Sequence, residues 1–380
     1  MKTILFVFGT RPEAIKMAPI LQLISHKNPN FKTKVCVTAQ HREMLDQILD
    51  LFQITPDFDL DIMKEKQELI GLSAKILVGM RDIYASLSPD AVIVHGDTTT
   101  ALISAQAAFF SGIPVGHVEA GLRTYDLQAP FPEEFNRQII SKFANWHFAP
   151  TLNSKNNLLS EGIKEEKIYV TGNTVIDALL EIRSKINQNE EWTKKLSTQL
   201  EGLCKKEIFN KKYILITGHR RENFGEGFFE ICHAIARLSK KFKDINFVYP
   251  VHLNPKVQKP VNELLVSLNN VILIPPQDYD SFIFLLDRCF AVLTDSGGIQ
   301  EEAPSLGKPV LVMREKTERP EALNAGTVKL VGANKDRIYK GVEELLNDEN
   351  LYKKMSEAHN PYGNGKASKK ILKILMKDME

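Results

Sequence analysis

The sequence predicts an α/β protein built from two Rossmann-like, doubly wound domains facing a central cleft. Short β-branched runs alternate with helical patterns along most of the 380 residues, the mark of parallel strand–helix–strand units. The length exceeds what one small core uses and favours two domains. The two halves also follow one plan. "KTILFVFGTRPEAIKMA" and "KYILITGHRRENFGEGF" each run strand, glycine, then a basic loop into a helix. "AVIVHGDTTTALISAQAAFFSGIPVGHV" and "AVLTDSGGIQEEAPSLGKPVLV" each run strand, polar turn, helix, Gly-x-Pro-Val, strand.

The strands expected in the first half are Thr3–Phe8, Lys34–Thr38, Ala91–His95, Pro114–Val118 and Lys167–Thr171. Those in the second are Tyr213–Thr217, Asn246–Pro250, Val271–Ile274, Ala291–Thr294 and Pro309–Met313. The hinge is placed near Thr171–Thr174, giving an N-terminal domain 1–173 and a C-terminal domain 174–365. The amphipathic tail 366–380 is expected to pack back on the first domain. The charged segment Glu181–Lys212 reads as a solvated, peripheral helix. In such folds ligands bind at the carboxyl ends of the strands, so the loops there are where function is sought.

Composition narrows the function. Lys and Arg number 49 against 47 Asp and Glu, a net charge of +2, which argues against a nucleic-acid or membrane-surface partner. The four cysteines (Cys36, Cys204, Cys232, Cys289) are scattered, without CxxC or Cys/His ligand spacing, and read as reduced thiols and not as a metal site. Neither half carries GxGxxG or GxxxxGK[ST], which leaves a bound dinucleotide cofactor unsupported. The N-terminal apolar run Ile4–Phe8 meets Gly-Thr-Arg-Pro-Glu with no cleavage site, and no stretch approaches the ~18 apolar residues of a membrane span. The expectation is a cytoplasmic protein.

Polar clusters close most of the expected strands. Arg11 and Lys16 flank Pro12 at a helix start, where an anion site or a solvated loop are both open readings. Asp97, after His95-Gly96, is either a chemical group or a cap for the next helix. Glu119 ends a strand and is either used or paired with Arg123. Glu133, Glu134 and Arg137 in "PFPEEFNRQ" suit a first helical turn by themselves. His219, Arg220 and Arg221 at a strand end favour an anionic ligand, and Arg319 before Pro320 sits on extended backbone. Ser296-Gly297-Gly298 suits a phosphate, whereas Glu302 one turn later suits hydroxyl groups. Positive charge and backbone donors in one half, with carboxylates in the other, suggest acid–base chemistry on a sugar carried by a nucleoside diphosphate.

At these residues the sequence closely resembles the bacterial non-hydrolysing UDP-N-acetylglucosamine 2-epimerases. The matching motifs include "FGTRPEAIKMAP", "TAQHREMLDQ", "HGDTTT", "PVGHVEAGLRT", "PEEFNR", "TGNTVIDALL", "TGHRREN", "HLNP", "LTDSGGIQEEAPSLGKPVL", "ERPEA" and "NPYG", spread over nearly the whole chain in family order. The resemblance implies a glycosyltransferase-B-like architecture, interconversion of UDP-GlcNAc and UDP-ManNAc, no redox cofactor, no metal, and a homodimer whose product serves surface polysaccharides. Carried onto matching positions, it implies UDP contacts at Arg11, Lys16, Gln277, Phe282, Ser296, Gly297, Gly298, Glu302 and Arg319. It implies a catalytic set of Asp97, Glu119, Glu133 and His219. Tyr125 and Phe131 depart from the Gly and Trp of many members. A hydrolysing relative, an epimerase for a UDP-diacetamido sugar, and a non-catalytic UDP-sugar sensor that includes "TAQHREMLDQ" are the competing readings.

Overall fold

The computed structural model describes residues 1–27, 30–39, 42–62, 68–204 and 208–379. The chain resolves into two compact units: Met1–Ala178 joined by the C-terminal segment from Tyr362, and Leu179–Pro361.

The first unit is a seven-stranded sheet of order β3-β2-β1-β4-β5-β6-β7. Its strands are β1 (Lys2–Phe8), β2 (Phe31–Val37), β3 (Phe58–Asp59), β4 (Ala91–His95), β5 (Val115–Val118), β6 (Trp146–Ala149) and β7 (Ile168–Val170). Every pairing is parallel. A parallel sheet is covered on both faces, and the strands accordingly run as unbroken apolar stretches: Ile4 to Phe8 and Ala91 to Val94 are fully buried. The helix Thr99–Phe110 is rich in small residues, buries most of its surface, and is capped by Thr98, whose hydroxyl accepts from the Ala101 N–H at 3.0 Å.

The second unit is a six-stranded parallel sheet of order β10-β9-β8-β11-β12-β13. Its strands are β8 (Tyr213–Thr217), β9 (Asn246–Pro250), β10 (Val271–Ile274), β11 (Ala291–Thr294), β12 (Val310–Val312) and β13 (Val328–Leu330). The core gathers Ile214, Ile216, Phe247, Leu293 and Leu311 from the strands with Phe228, Ile231, Ile235 and Leu238 from the helix Glu226–Lys241.

In both sheets the chain starts in the middle, runs to one edge, and returns to the other side of the first strand. The switch points therefore fall between β1 and β4 and between β8 and β11. There, helices leave in opposite directions and open a crevice at the strands' carboxyl ends.

The expected doubly wound architecture is present in both halves. β3, β6 and β13 were not expected: they hold two, four and three residues, too few for an alternating or apolar run to register. Glu181–Lys212 is not simply solvated. Its residues 181–204 fall mostly in the helices Thr174–Gln188 and Glu190–Cys204, which bury Ile182, Ile186, Leu196 and Leu200.

The C-terminal helix Ala367–Met379 packs on the helix Arg11–Lys27 of the first unit. It is anchored at both ends. Asp177 accepts from the Ala367 and Ser368 N–H groups at 3.1 and 2.8 Å, and Asp378 accepts from the Trp146 indole at 2.9 Å and the Tyr169 hydroxyl at 2.8 Å. The four cysteines are free and buried. Among the described residues no helix is long and apolar enough to cross a membrane, and no group of three or more potential metal ligands is found.

Candidate active site

In the first unit the β1 and β4 loops are joined by Glu13, a residue of the "GTRPEA" segment with no role assigned from sequence. Its buried carboxylate accepts from the Gly9 and Thr10 N–H groups at 3.0 and 2.9 Å, the Thr10 hydroxyl at 2.8 Å and the Thr98 hydroxyl at 2.6 Å. Burial without a cation outweighs these four donors and pushes its pKa up to about 6. Gly9 stands where no side chain fits: a Cβ would lie 2.0 Å from Thr38 Oγ1 and 2.6 Å from Thr100 Oγ1.

Asp97 follows Gly96, whose φ of +66° makes the tight turn out of β4. Its carboxylate pairs with Arg137 at 2.8 Å, and its carbonyl accepts from Asn136 Nδ2 at 2.7 Å. Desolvation raises the Asp97 pKa to about 6, against the pull of Arg137 and with Glu119 and Glu133 adding repulsion. Thr98 takes the capping role, which leaves the Asp97 side chain for other work.

Glu119 leaves β5 with φ +64°, a left-handed conformation that costs a non-glycine residue roughly 1–2 kcal/mol. Its carboxylate is held by Lys16 and by Asn173 Nδ2 at 2.8 Å, with His95 Nε2 3.8 Å away. Arg123 is not its partner. That buried guanidinium instead bonds Glu161 at 2.5 and 3.0 Å, Ser141 at 2.7 Å and the Leu122 carbonyl at 2.7 Å.

Glu133 opens the helix Glu133–Phe143, and its Oε2 is buried with no hydrogen-bond partner among the described residues. Its neighbour Glu134 is structural: it accepts from the Thr124 and Tyr125 N–H groups at 3.0 Å each and from Gln138 at 2.7 Å. Tyr125 takes φ +60°, a left-handed conformation that glycine would adopt without steric cost. The first unit thus collects Asp97, Glu119, Glu133 and Lys16 into one electrostatic cluster at the β4–β5 edge. Arg11 starts the helix after β1 and forms no ion pair among the described residues.

In the second unit a cavity of about 200 Å³ lies at the carboxyl ends of β8, β9, β10 and β11, lined in part by His219, His252, Gln277, Phe282, Ser296 and Ile299. Pro250, Pro276, Phe282 and Ile299 give it apolar walls, and Gln277 adds an amide. His219 stacks on His252, with ring centroids 5.5 Å apart. Burial holds the His219 imidazole below its usual pKa, while Asp295 pulls the other way.

Asp295 is fully buried and anchors the β8 loop: it accepts from the His219 and Arg220 N–H groups at 2.9 Å each and from Asn223 Nδ2 at 3.2 Å. The guanidinium groups of Arg220 and Arg319 lie beside Gly297: a Cβ built there would be 3.5 Å from an Arg220 nitrogen and 4.0 Å from one of Arg319. Two guanidinium groups therefore border the Ser296–Gly298 turn. Arg319 is oriented by buried Glu301, its ion-pair partner. Glu302 is buried one turn along the same helix.

The sequence-expected residues therefore fall into two groups. Arg11, Lys16, Asp97, Glu119 and Glu133 lie in the first unit, and His219, Gln277, Phe282, Ser296, Gly297, Gly298, Glu302 and Arg319 in the second. Not expected were Asn173 on Glu119, Arg137 on Asp97, Asp295 under His219, and His252 in the cavity. His252 had a signal, as the residue two past β9 in "HLNP"; the others act through partners far away in sequence. Residues 40 and 41 of "TAQHREMLDQ" lie outside the described residues.

Residues 24–376 match the UDP-N-acetylglucosamine 2-epimerase family. A UDP-N-acetylglucosamine 2-epimerase of Escherichia coli K12 is 56% identical over 372 residues, covering 98% of each chain. The UDP-GlcNAc 2-epimerase of Neisseria meningitidis, solved bound to UDP-GlcNAc, is 52% identical with a TM-score of 0.89, over 99% of this chain and 100% of that one. The Methanocaldococcus jannaschii enzyme, solved with UDP-GlcNAc and UDP, is 33% identical with a TM-score of 0.81 over 99% of this chain and 100% of that one. Likeness of this depth spans nearly the whole chain, and the chain belongs to the UDP-N-acetylglucosamine 2-epimerase family, isomerases with a glycosyltransferase-B-like fold.

Proposed function

We propose that the protein interconverts UDP-GlcNAc and UDP-ManNAc by inverting carbon 2 through elimination and re-addition of UDP. The observation that carries this reading is the division of labour: cations and a base-sized cavity in one unit, a carboxylate cluster in the other. The proton on carbon 2 of the sugar has no adjacent carbonyl and is not acidic. Departure of UDP first creates oxocarbenium character at carbon 1 and acidifies the neighbouring C–H. Loss of that proton gives 2-acetamidoglucal, and protonation from the opposite face with return of UDP gives the epimer.

Each site residue has a part in that scheme. Phe282 and Gln277 suit the flat, amide-bearing uracil ring, and the Glu302 carboxylate suits the ribose hydroxyls. Arg319, Arg11, Lys16, His219 and the Ser296–Gly298 turn suit the diphosphate, whose charge grows as it leaves; one preorganised donor is typically worth ~3 kcal/mol. Asp97, Glu119 and Glu133 supply acid and base groups for two faces of the sugar, each worth ~10²–10⁴-fold. The raised pKa of Asp97 supports this part, because a group titrating near 6 gives and takes protons readily. A homodimer belongs to the same reading. Phe109 and Phe110, 54% and 67% exposed at the end of the helix Thr99–Phe110, with Phe135 and Ile139 also exposed, support a covered face.

Incubation with UDP-GlcNAc in heavy water tests the reaction. Deuterium at carbon 2 of both UDP-sugars is expected. Free ManNAc as the main product would point to hydrolysis, and no exchange would leave only binding.

A further inference from the structure

We propose that His117 is a positioning residue for this reaction, its imidazole clamping the Gly96–Asp97 turn so that the Asp97 carboxylate is aimed. The inference rests on the reading of Asp97 as a proton-transfer group. His117 is fully buried on β5, in register with Val94 of β4. Its Nε2 lies 2.7 Å from the Gly96 carbonyl oxygen. A carbonyl only accepts, so Nε2 carries the proton and donates it. The next carbonyl, that of Asp97, accepts from Asn136, and the Asp97 carboxylate meets Arg137. Two successive carbonyls are thus pinned from two different elements, at a turn that already needs φ +66° at Gly96.

The imidazole stays a neutral donor. Desolvation pushes its pKa down to about 3, with Arg123 and His95 acting in the same direction and the hydrogen bond to Gly96 and the Glu119 charge opposing. Its Nδ1 is buried without a hydrogen-bond partner among the described residues. A side chain present only to fill that space would be less costly as an apolar one. What the imidazole adds is a single directed N–H.

The test compares His117→Met, which keeps volume and removes the donor, with His117→Gln, whose amide N–H can reach the same carbonyl. kcat and KM for UDP-GlcNAc are measured across pH, with Asp97→Asn alongside. The groups facing Asp97 are Arg137 and Glu133 from the helix Glu133–Phe143, Glu119 after β5, and Lys16 from the helix Arg11–Lys27. With His117→Met, kcat is expected to fall ~10–100-fold, the cost of a small misplacement, with KM changed less than ~3-fold. The pH midpoint that Asp97 contributes is expected to drop toward ~4 as its carboxyl hydrates. His117→Gln should recover most of both.

A purely structural role would scale kcat by one factor at every pH with the midpoint fixed, and that result overturns the proposal, as does wild-type kcat in His117→Met. Should His117→Met not fold, His117→Asn, too short to reach the carbonyl, replaces it against His117→Gln. Wild-type turnover in Asp97→Asn removes the underlying reading and the positioning role with it. An inactive Asp97→Asn beside an unshifted His117→Met profile removes the positioning role alone.

Discussion

Asp97→Asn should stabilise the protein while abolishing its activity. Burial raises the Asp97 pKa from 3.8 to about 6 even with Arg137 alongside, so the folded chain resists the charged form. At about 1.4 kcal/mol per pH unit that resistance is worth about 3 kcal/mol. Because 26% of the side chain still meets solvent, screening trims it to about 2 kcal/mol. The sign follows from proton counting. Between pH ~4 and ~6 the folded state binds more protons than the unfolded one, so wild-type stability falls as pH rises through that window. Asparagine does not titrate. The variant should match the wild type near pH 4 and exceed it by about 2 kcal/mol at pH 8 in urea unfolding. Carbon-2 deuterium exchange should be lost throughout, with UDP binding retained. A variant less stable than the wild type at pH 8 would refute the desolvation argument. Undiminished turnover would remove Asp97 from the catalytic set.

Two further perturbations probe the second unit and the surface. Asp295→Ala strips the acceptor from the His219 and Arg220 N–H groups and from Asn223. The half-exposed loop can rehydrate in part, so a cost of about 3 kcal/mol is expected in chemical unfolding, with calorimetric UDP affinity down ~10–100-fold. Phe110→Asp, at a residue 67% exposed, should convert a dimer to a monomer by light scattering while leaving the thermal midpoint of the isolated chain within a few degrees. A monomeric wild type would defeat the homodimer reading.

Strand positions were legible because they are local. Apolar runs ended by glycine or a polar turn mark β1, β4, β8 and β11 directly, and those strands flank the two switch points. Residues at their carboxyl ends were therefore identifiable as candidates for the site from the sequence. β6 was not legible: Trp146 to Ala149 is four residues long, with a histidine inside it and Pro150 close behind. Nor was the burial under Glu181–Lys212, where a charged face conceals an apolar one.

The sequence alone determined the class of the protein, two doubly wound units with an anion-favouring loop set in one and carboxylates in the other, because periodicity and turn chemistry act over a few residues. Only the tertiary structure decided which charge meets which. Glu119 takes Lys16, 103 positions away, and leaves its near neighbour Arg123 to Glu161. Asp295 goes under His219, and Glu301 turns Arg319. Sheet order brings such partners together, and in a buried site each charge settles on the partner whose geometry satisfies it. No local pattern encodes that choice.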